Sequence, residues 1–158
     1  MEHRPAEAAI HEQSRAAGTP VPRPPRLGPP GRFGAVPCGA RRVLLVDDDE
    51  GLRQAVARGL AKAGYRVAAA ADGREALERL REERPDAAVI DVLLPDAGGL
   101  GLAAEIRRLP DLHALPVLFV TALAPAVVRD TLFPSPVLFK PFTYRQLVAG
   151  VRDLLRER

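Results

Sequence analysis

Three consecutive carboxylates, Asp47, Asp48 and Asp49, end the apolar run Val43-Leu44-Leu45-Val46. Like charges crowded in this way repel one another unless a hard cation neutralises them, and a site of carboxylate and carbonyl oxygens suits Mg²⁺ best. A run that is apolar at every position belongs to a strand buried on both faces. The acids are therefore expected at the carboxyl end of a central parallel strand, where open α/β sheets bind ligands. Later apolar runs end in further chemistry-bearing residues: Ala87-Ala-Val-Ile-Asp91, Val117-Leu-Phe-Val-Thr121 and Val137-Leu-Phe-Lys140. Taken singly, each has an ordinary explanation: a helix cap or turn for the Asp, a satisfied backbone for the Thr, a surface charge for a Lys before Pro. Taken together they suit phosphoryl transfer. That chemistry is mostly positioning and charge neutralisation, with a metal on one side of the phosphoryl group and a cation on the other.

The identity of Lys140 carries information. The chain has 21 Arg and two Lys, so a generic positive charge is normally supplied by Arg. A compact ammonium on a slim stem fits where a planar fork does not.

From Arg42 onward, apolar runs alternate with amphipathic ones. Strands are predicted at 42–47, 66–71, 87–91, 116–121 and 136–140, and helices at 50–63, 74–83, 99–108, 124–132 and 143–156. This is a (βα)5 series, which demands a parallel sheet covered by helices on both faces, a doubly wound α/β fold. The first helix places Leu52, Val56 and Leu60 at spacing i, i+4, i+8 and should close at Gly64. The last opens with Thr143-Tyr-Arg-Gln146, the form of a capping box, and should bury Leu147, Val148, Val151 and Leu155.

Composition narrows the function. The 158 residues leave room for one domain of ordinary size, and a hydrophobic content of 47% with 4% aromatics and no Trp implies an aliphatic, Ala-rich core. Of the net charge of +3, residues 1–40 supply five Arg against three Glu and the remainder 18 basic against 17 acidic residues, so no basic face is implied for the folded part. The single Cys38 excludes an internal disulfide, and no apolar segment suggests a signal peptide or membrane span. A cytoplasmic protein is expected, with no nucleic-acid or membrane partner. Residues 1–40 hold eight of the 16 prolines and read as a disordered Pro/Arg-rich tail preceding a domain at 41–158.

The ordered set Val46-Asp47-Asp48, Ala71-Asp72-Gly73 with Ala76-Leu77, Pro85-Asp86 with Asp91, Leu94-Pro95 and Gly99, Thr121-Ala122, and Lys140-Pro141-Phe142 resembles the CheY-like response-regulator receiver domain of two-component signalling. The resemblance covers about Arg42 to Arg158 and implies a flavodoxin-like sheet of strand order 2-1-3-4-5. It implies that Asp91 is the phosphoacceptor, and that Asp48, Asp91 and the main-chain carbonyl of Leu93 bind Mg²⁺ directly while Asp47 acts through water. It also implies that Thr121 and Lys140 contact the phosphoryl oxygens, and that the Lys140–Pro141 bond is cis. The function expected is that of a stand-alone, single-domain receiver. It would accept a phosphoryl group from a sensor histidine kinase or phosphotransfer protein, catalyse nothing beyond its own phosphorylation and dephosphorylation, and signal by binding a downstream protein.

Two departures keep a second reading open, that of a phosphorylation-independent interaction module. Val137 stands where the family usually has Tyr or Phe, and the interval from Thr121 to Lys140 is short and carries Pro125, Pro134 and Pro136. A haloacid-dehalogenase-type phosphatase fits less well, because Asp47-Asp-Asp49-Glu-Gly51 lacks the Thr of Asp-x-Asp-x-Thr and Asp91 would go unexplained. No Gly-rich phosphate loop follows the first strand, which disfavours nucleotide binding. Asp49 and Glu50 are expected in the first helical turn, and His113 in a surface loop.

Overall fold

A computed structural model describes residues 39–95, 97–127 and 135–156, all within one compact unit, Phe33–Arg158. Five parallel strands, β1 (Arg42–Val46), β2 (Arg66–Ala70), β3 (Ala87–Asp91), β4 (Val117–Thr121) and β5 (Val137–Phe139), lie in the order β2-β1-β3-β4-β5. Between and after them run helices α1 (Glu50–Lys62), α2 (Gly73–Glu83), α3 (Gly98–Arg108) and α4 (Tyr144–Arg156). The predicted doubly wound α/β fold and its strand order are those observed. The predicted tail, residues 1–40, lies outside the described residues save for Gly39 and Ala40. The helix predicted at 124–132 is helical at Pro125–Val127, and 128–134 lie outside the described residues.

The period-two pattern of the strands decides which helix goes where. In β1, Leu44 and Val46 join Ile90, Phe119 and the α2 and α3 residues Ala76, Leu80, Leu102 and Ile106 in one core. Val43 and Leu45 point the other way, to Val89, Leu118 and Val120 with Val56 and Leu60 of α1 and Leu147, Val151 and Leu154 of α4. Because β3 and β4 are buried at every position, both faces are covered, which is why these strands read as unbroken apolar runs.

Helix ends follow the expected chemistry with small shifts. Gly64 at φ 94° ends α1, its N–H donating to Ala61 O at 3.0 Å while Tyr65 N donates to Leu60 O at 3.1 Å. The capping box of α4 forms: Thr143 N donates to Gln146 Oε1 at 2.8 Å and Gln146 N to Thr143 Oγ1 at 3.3 Å. The buried set of α4 is Leu147, Val151 and Leu154, so Leu154 takes the place expected for Leu155. Leu155 and Val148 pack at the margin. His113 is exposed, one ring nitrogen lying 2.7 Å from Pro110 O.

One close approach positions the site directly. Gly99, in the first turn of α3, donates its N–H to Val92 O at 3.0 Å, and a Cβ there would collide with the carbonyl oxygen of Asp91. Neither partner can yield cheaply, since one is main chain in a buried strand and the other begins a packed helix. Gly99→Ala should therefore lower stability in urea denaturation by about 1–3 kcal/mol, the usual cost of overpacking. Wild-type stability would show that α3 can slide away from the strand.

Candidate functional site

Register brings the reactive residues to one edge of the sheet. Val46 pairs with Ile90, so Asp47 emerges beside Asp91, and Asp91 pairs with Val120, one residue before Thr121. Thr121 pairs with Phe139, and Lys140 follows directly, its N–H donating to Thr121 O at 2.7 Å. Four strand ends thus deliver Asp47, Asp91, Thr121 and Lys140 to neighbouring places, as their positions at the close of apolar runs predicted.

The side chains meet. Lys140 Nζ donates to Asp91 Oδ2 at 2.6 Å and to Asp47 Oδ2 at 3.0 Å. One carboxylate oxygen from each of Asp47, Asp48 and Asp91 lies within 4.8 Å of the other two. Asp47 and Asp91 are each 4% exposed, whereas Asp48 is open to solvent. Their remaining oxygens are used locally, Asp47 Oδ1 accepting from Asp49 N at 2.9 Å and Asp91 Oδ1 from Leu93 N at 2.9 Å. Thr121 is fully buried and its hydroxyl accepts from Leu123 N at 3.1 Å. Leu93 presents a half-exposed side chain at the mouth of the β3–α3 loop. The peptide bond between Lys140 and Pro141 is cis, as expected.

The electrostatics are those of one ammonium shared by two buried acids. Burial pushes the Asp47 carboxyl above the usual carboxylate range, outweighing the hydrogen bond and charge of Lys140, and the negative charge of Asp91 adds to the rise. For Lys140, burial works to lower the pKa, but the hydrogen bonds to Asp91 and Asp47 and their charges together carry it above the ordinary lysine value. Lys140 pairs with two of the three clustered carboxylates, so negative charge remains in excess. An all-oxygen donor set with surplus negative charge fits Mg²⁺.

Asp49 is the N-cap of α1, its Oδ1 accepting from Leu52 N at 2.9 Å, and Glu50 lies in the first turn, the places expected of them. Arg53 is not among the residues that strand-end spacing predicts for the site. This residue sits four positions after the cap, and its Nη1 donates to Asp47 O at 2.7 Å and Asp48 O at 3.3 Å. A basic residue one turn into a helix behind an acid loop was the available signal, and it was obscured by the abundance of Arg throughout the chain.

The ranking of the metal residues is testable. Both Asp47 oxygens are committed, to Lys140 and to Asp49 N, while Asp48 faces solvent. On the roles the family resemblance implies, a direct ligand in Asp48 and a water-mediated contact in Asp47, Asp48→Ala should weaken binding more than Asp47→Ala in Mg²⁺ titrations. Equal losses would refute the ranking.

Comparison with known proteins agrees with this geometry. The family described as the response regulator receiver domain matches residues 43–152. The chain is 40% identical over 118 residues to the response regulator MprA of Mycolicibacterium vanbaalenii, covering 73% of this chain and 50% of that one. It is 36% identical over 119 residues to the probable transcriptional regulator ycf27 of Cyanophora paradoxa, covering 73% and 48%. It thus spans about half the length of these curated relatives. Among solved structures, the chemotaxis response regulator CheY4 of Vibrio cholerae superposes with a TM-score of 0.68 at 32% identity, covering 73% of this chain and 99% of that one. The receiver domain of the Francisella response regulator 1452 gives 0.66 at 28%, with 74% and 98% covered. With the sheet order, the acid trio and the strand-end lysine in place, these similarities show that the chain belongs to the response-regulator receiver family of two-component signalling.

Proposed function

We propose that this chain takes a phosphoryl group onto Asp91 from the phosphohistidine of a sensor kinase or phosphotransfer protein, in a Mg²⁺-dependent reaction, and signals by phosphorylation-dependent binding of a protein partner. The observation that carries the reading is the ammonium of Lys140 set 2.6 Å from Asp91 and 3.0 Å from Asp47, with Asp48 completing an oxygen-donor cluster. A carboxylate oxygen of Asp91 forms the new bond to phosphorus as the phosphorus–nitrogen bond breaks, and the departing imidazole keeps the electron pair. Asp48, Asp91 and the Leu93 carbonyl would hold Mg²⁺, with Asp47 acting through water, and the bound metal would supply positive charge to the phosphoryl oxygens. Lys140 neutralises the same group from the β5 side, and the Thr121 hydroxyl contributes a hydrogen bond. The site acts on its own aspartate, not as an enzyme on other substrates.

No helix among the described residues is long and apolar enough to cross a membrane. A near-neutral balance of charge across residues 41–158 favours a protein, rather than nucleic acid, as the output partner of this domain. Val137 is half-buried against the core and has no ring to swing, which supports a smaller rearrangement at β5 than an aromatic switch would give. The same observation favours the second reading, a module whose partner binding is unchanged by phosphorylation.

Phosphotransfer profiling tests the proposal. At least one phosphorylated sensor kinase of the host should pass its label to this chain in the presence of Mg²⁺, and chelation should stop the transfer. Transfer from none of them, together with partner binding that survives Asp91→Asn, would favour the phosphorylation-independent module.

A further inference from the structure

Arg53 ties the acid loop to the helix behind it. Its side chain is half-buried, and Nη1 points at two successive main-chain oxygens, those of Asp47 at 2.7 Å and Asp48 at 3.3 Å. The Arg53 N–H donates to Asp49 O at 2.8 Å, the first hydrogen bond of α1. An arginine next to three carboxylates would ordinarily pair with one of them. Among the described residues no ion pair joins Arg53 to Asp47, Asp48 or Asp49, and its guanidinium is given to their peptide carbonyls instead.

That choice has two consequences. The carbonyl oxygens of Asp47 and Asp48 each accept from the guanidinium, whose positive charge beside them makes the carboxylates the better donors the β1–α1 loop offers a cation. The two peptide planes are also fixed, and with them the directions in which both side chains leave the backbone. We propose that Arg53 is a positioning residue for the divalent-metal site, acting through the peptide groups of Asp47 and Asp48, an inference that rests on the Mg²⁺ reading of the acid trio given above.

Two effects of Arg53 on the metal oppose each other. Its positive charge repels a cation, so on charge alone its removal would tighten Mg²⁺ binding. Holding the loop in place spares the metal the entropy of ordering two carboxylates, so on positioning alone removal would weaken binding. Part of the guanidinium charge is spent on the two carbonyl dipoles it touches, and positioning should prevail. The sign of the effect therefore tells the two apart.

The test is calorimetric titration of Mg²⁺ into the full chain as wild type, Arg53→Ala and Arg53→Lys, with circular dichroism and thermal unfolding of each without metal. Arg53→Ala should remain folded and bind Mg²⁺ about ten-fold more weakly, the low end for loss of a residue supporting metal ligands. Arg53→Lys keeps a cation of similar reach and should recover part of that loss. Unchanged or tighter binding by folded Arg53→Ala would overturn the proposal, as would a lower unfolding temperature with an unaltered dissociation constant, which is what a helix-stabilising role alone would give. Should Arg53→Ala not fold, Arg53→Lys decides: weaker binding at wild-type unfolding temperature supports positioning, and wild-type affinity overturns it. Failure of the wild type itself to bind Mg²⁺ would instead refute the metal reading on which the inference rests.

Discussion

An Asp91→Asn variant should keep its fold and lose phosphoryl uptake from a small acyl phosphate, falling more than about 100-fold to background, as removal of a nucleophile does elsewhere. A carboxamide carries no charge and is a poor nucleophile toward phosphorus at neutral pH. The fold should survive because Asn is nearly isosteric and its oxygen can still accept from Leu93 N, a bond of 2.9 Å in the native chain. Lys140 would retain Asp47, 3.0 Å away, as its remaining partner. Radiolabel incorporation with and without a chelator is the measurement. Labelling of Asp91→Asn at the wild-type rate would mean that another side chain, Asp48 being the exposed candidate, accepts the group.

Lys140→Ala should produce the second large effect, this time on stability. Without the ammonium, Asp47 and Asp91, each 4% exposed, share a site with no cation between them. Removing one partner of a buried ion pair costs roughly 3–5 kcal/mol, and because the Lys140 side chain is 21% exposed the lower figure applies. Mg²⁺ should narrow the gap, since a divalent cation can neutralise the same carboxylates. Urea denaturation of both proteins with and without Mg²⁺ reads this out, and a gap that ignores the metal would argue against a shared site. The pH dependence has a fixed sign. Because its two acid partners raise the Lys140 pKa above the unfolded value of 10.5, the stability it contributes is fully present below that value and is lost as the pH climbs through the folded one. Lys140→Arg should be milder in stability yet impair the response to phosphorylation, because a planar fork cannot occupy the place of a compact ammonium.

The fold was legible because each strand of the series ends where its apolar run ends. β3 and β4 are buried throughout and β1 at all but Arg42, so their apolar runs stand out in the sequence, whereas the division of Leu44 and Val46 from Val43 and Leu45 between two cores is seen only in the structure. The acid trio, Asp91, Thr121 and Lys140 were legible for the same reason, as the first reactive residues at or just beyond those runs. Three features were hidden. The αL conformation of Arg84 at the end of α2 has no sequence signature, since Gly is the usual occupant there. The choice of Leu154 over Leu155 depends on how α4 rolls against the sheet, which a helical period alone does not fix. The hold of Arg53 on two carbonyls depends on where peptide planes point, and side-chain spacing says nothing about that.

Asp91 is the proposed phosphoacceptor because Asp47, Asp48 and Lys140 gather around it. The most direct test of this is mass spectrometry of the wild type after reaction with a small phosphodonor and Mg²⁺, with the acyl phosphate trapped by reduction before digestion. The predicted result is one modified site per chain, at Asp91, absent when the metal is chelated. Modification at any other residue, or at Asp91 in undiminished yield without the metal, would contradict it.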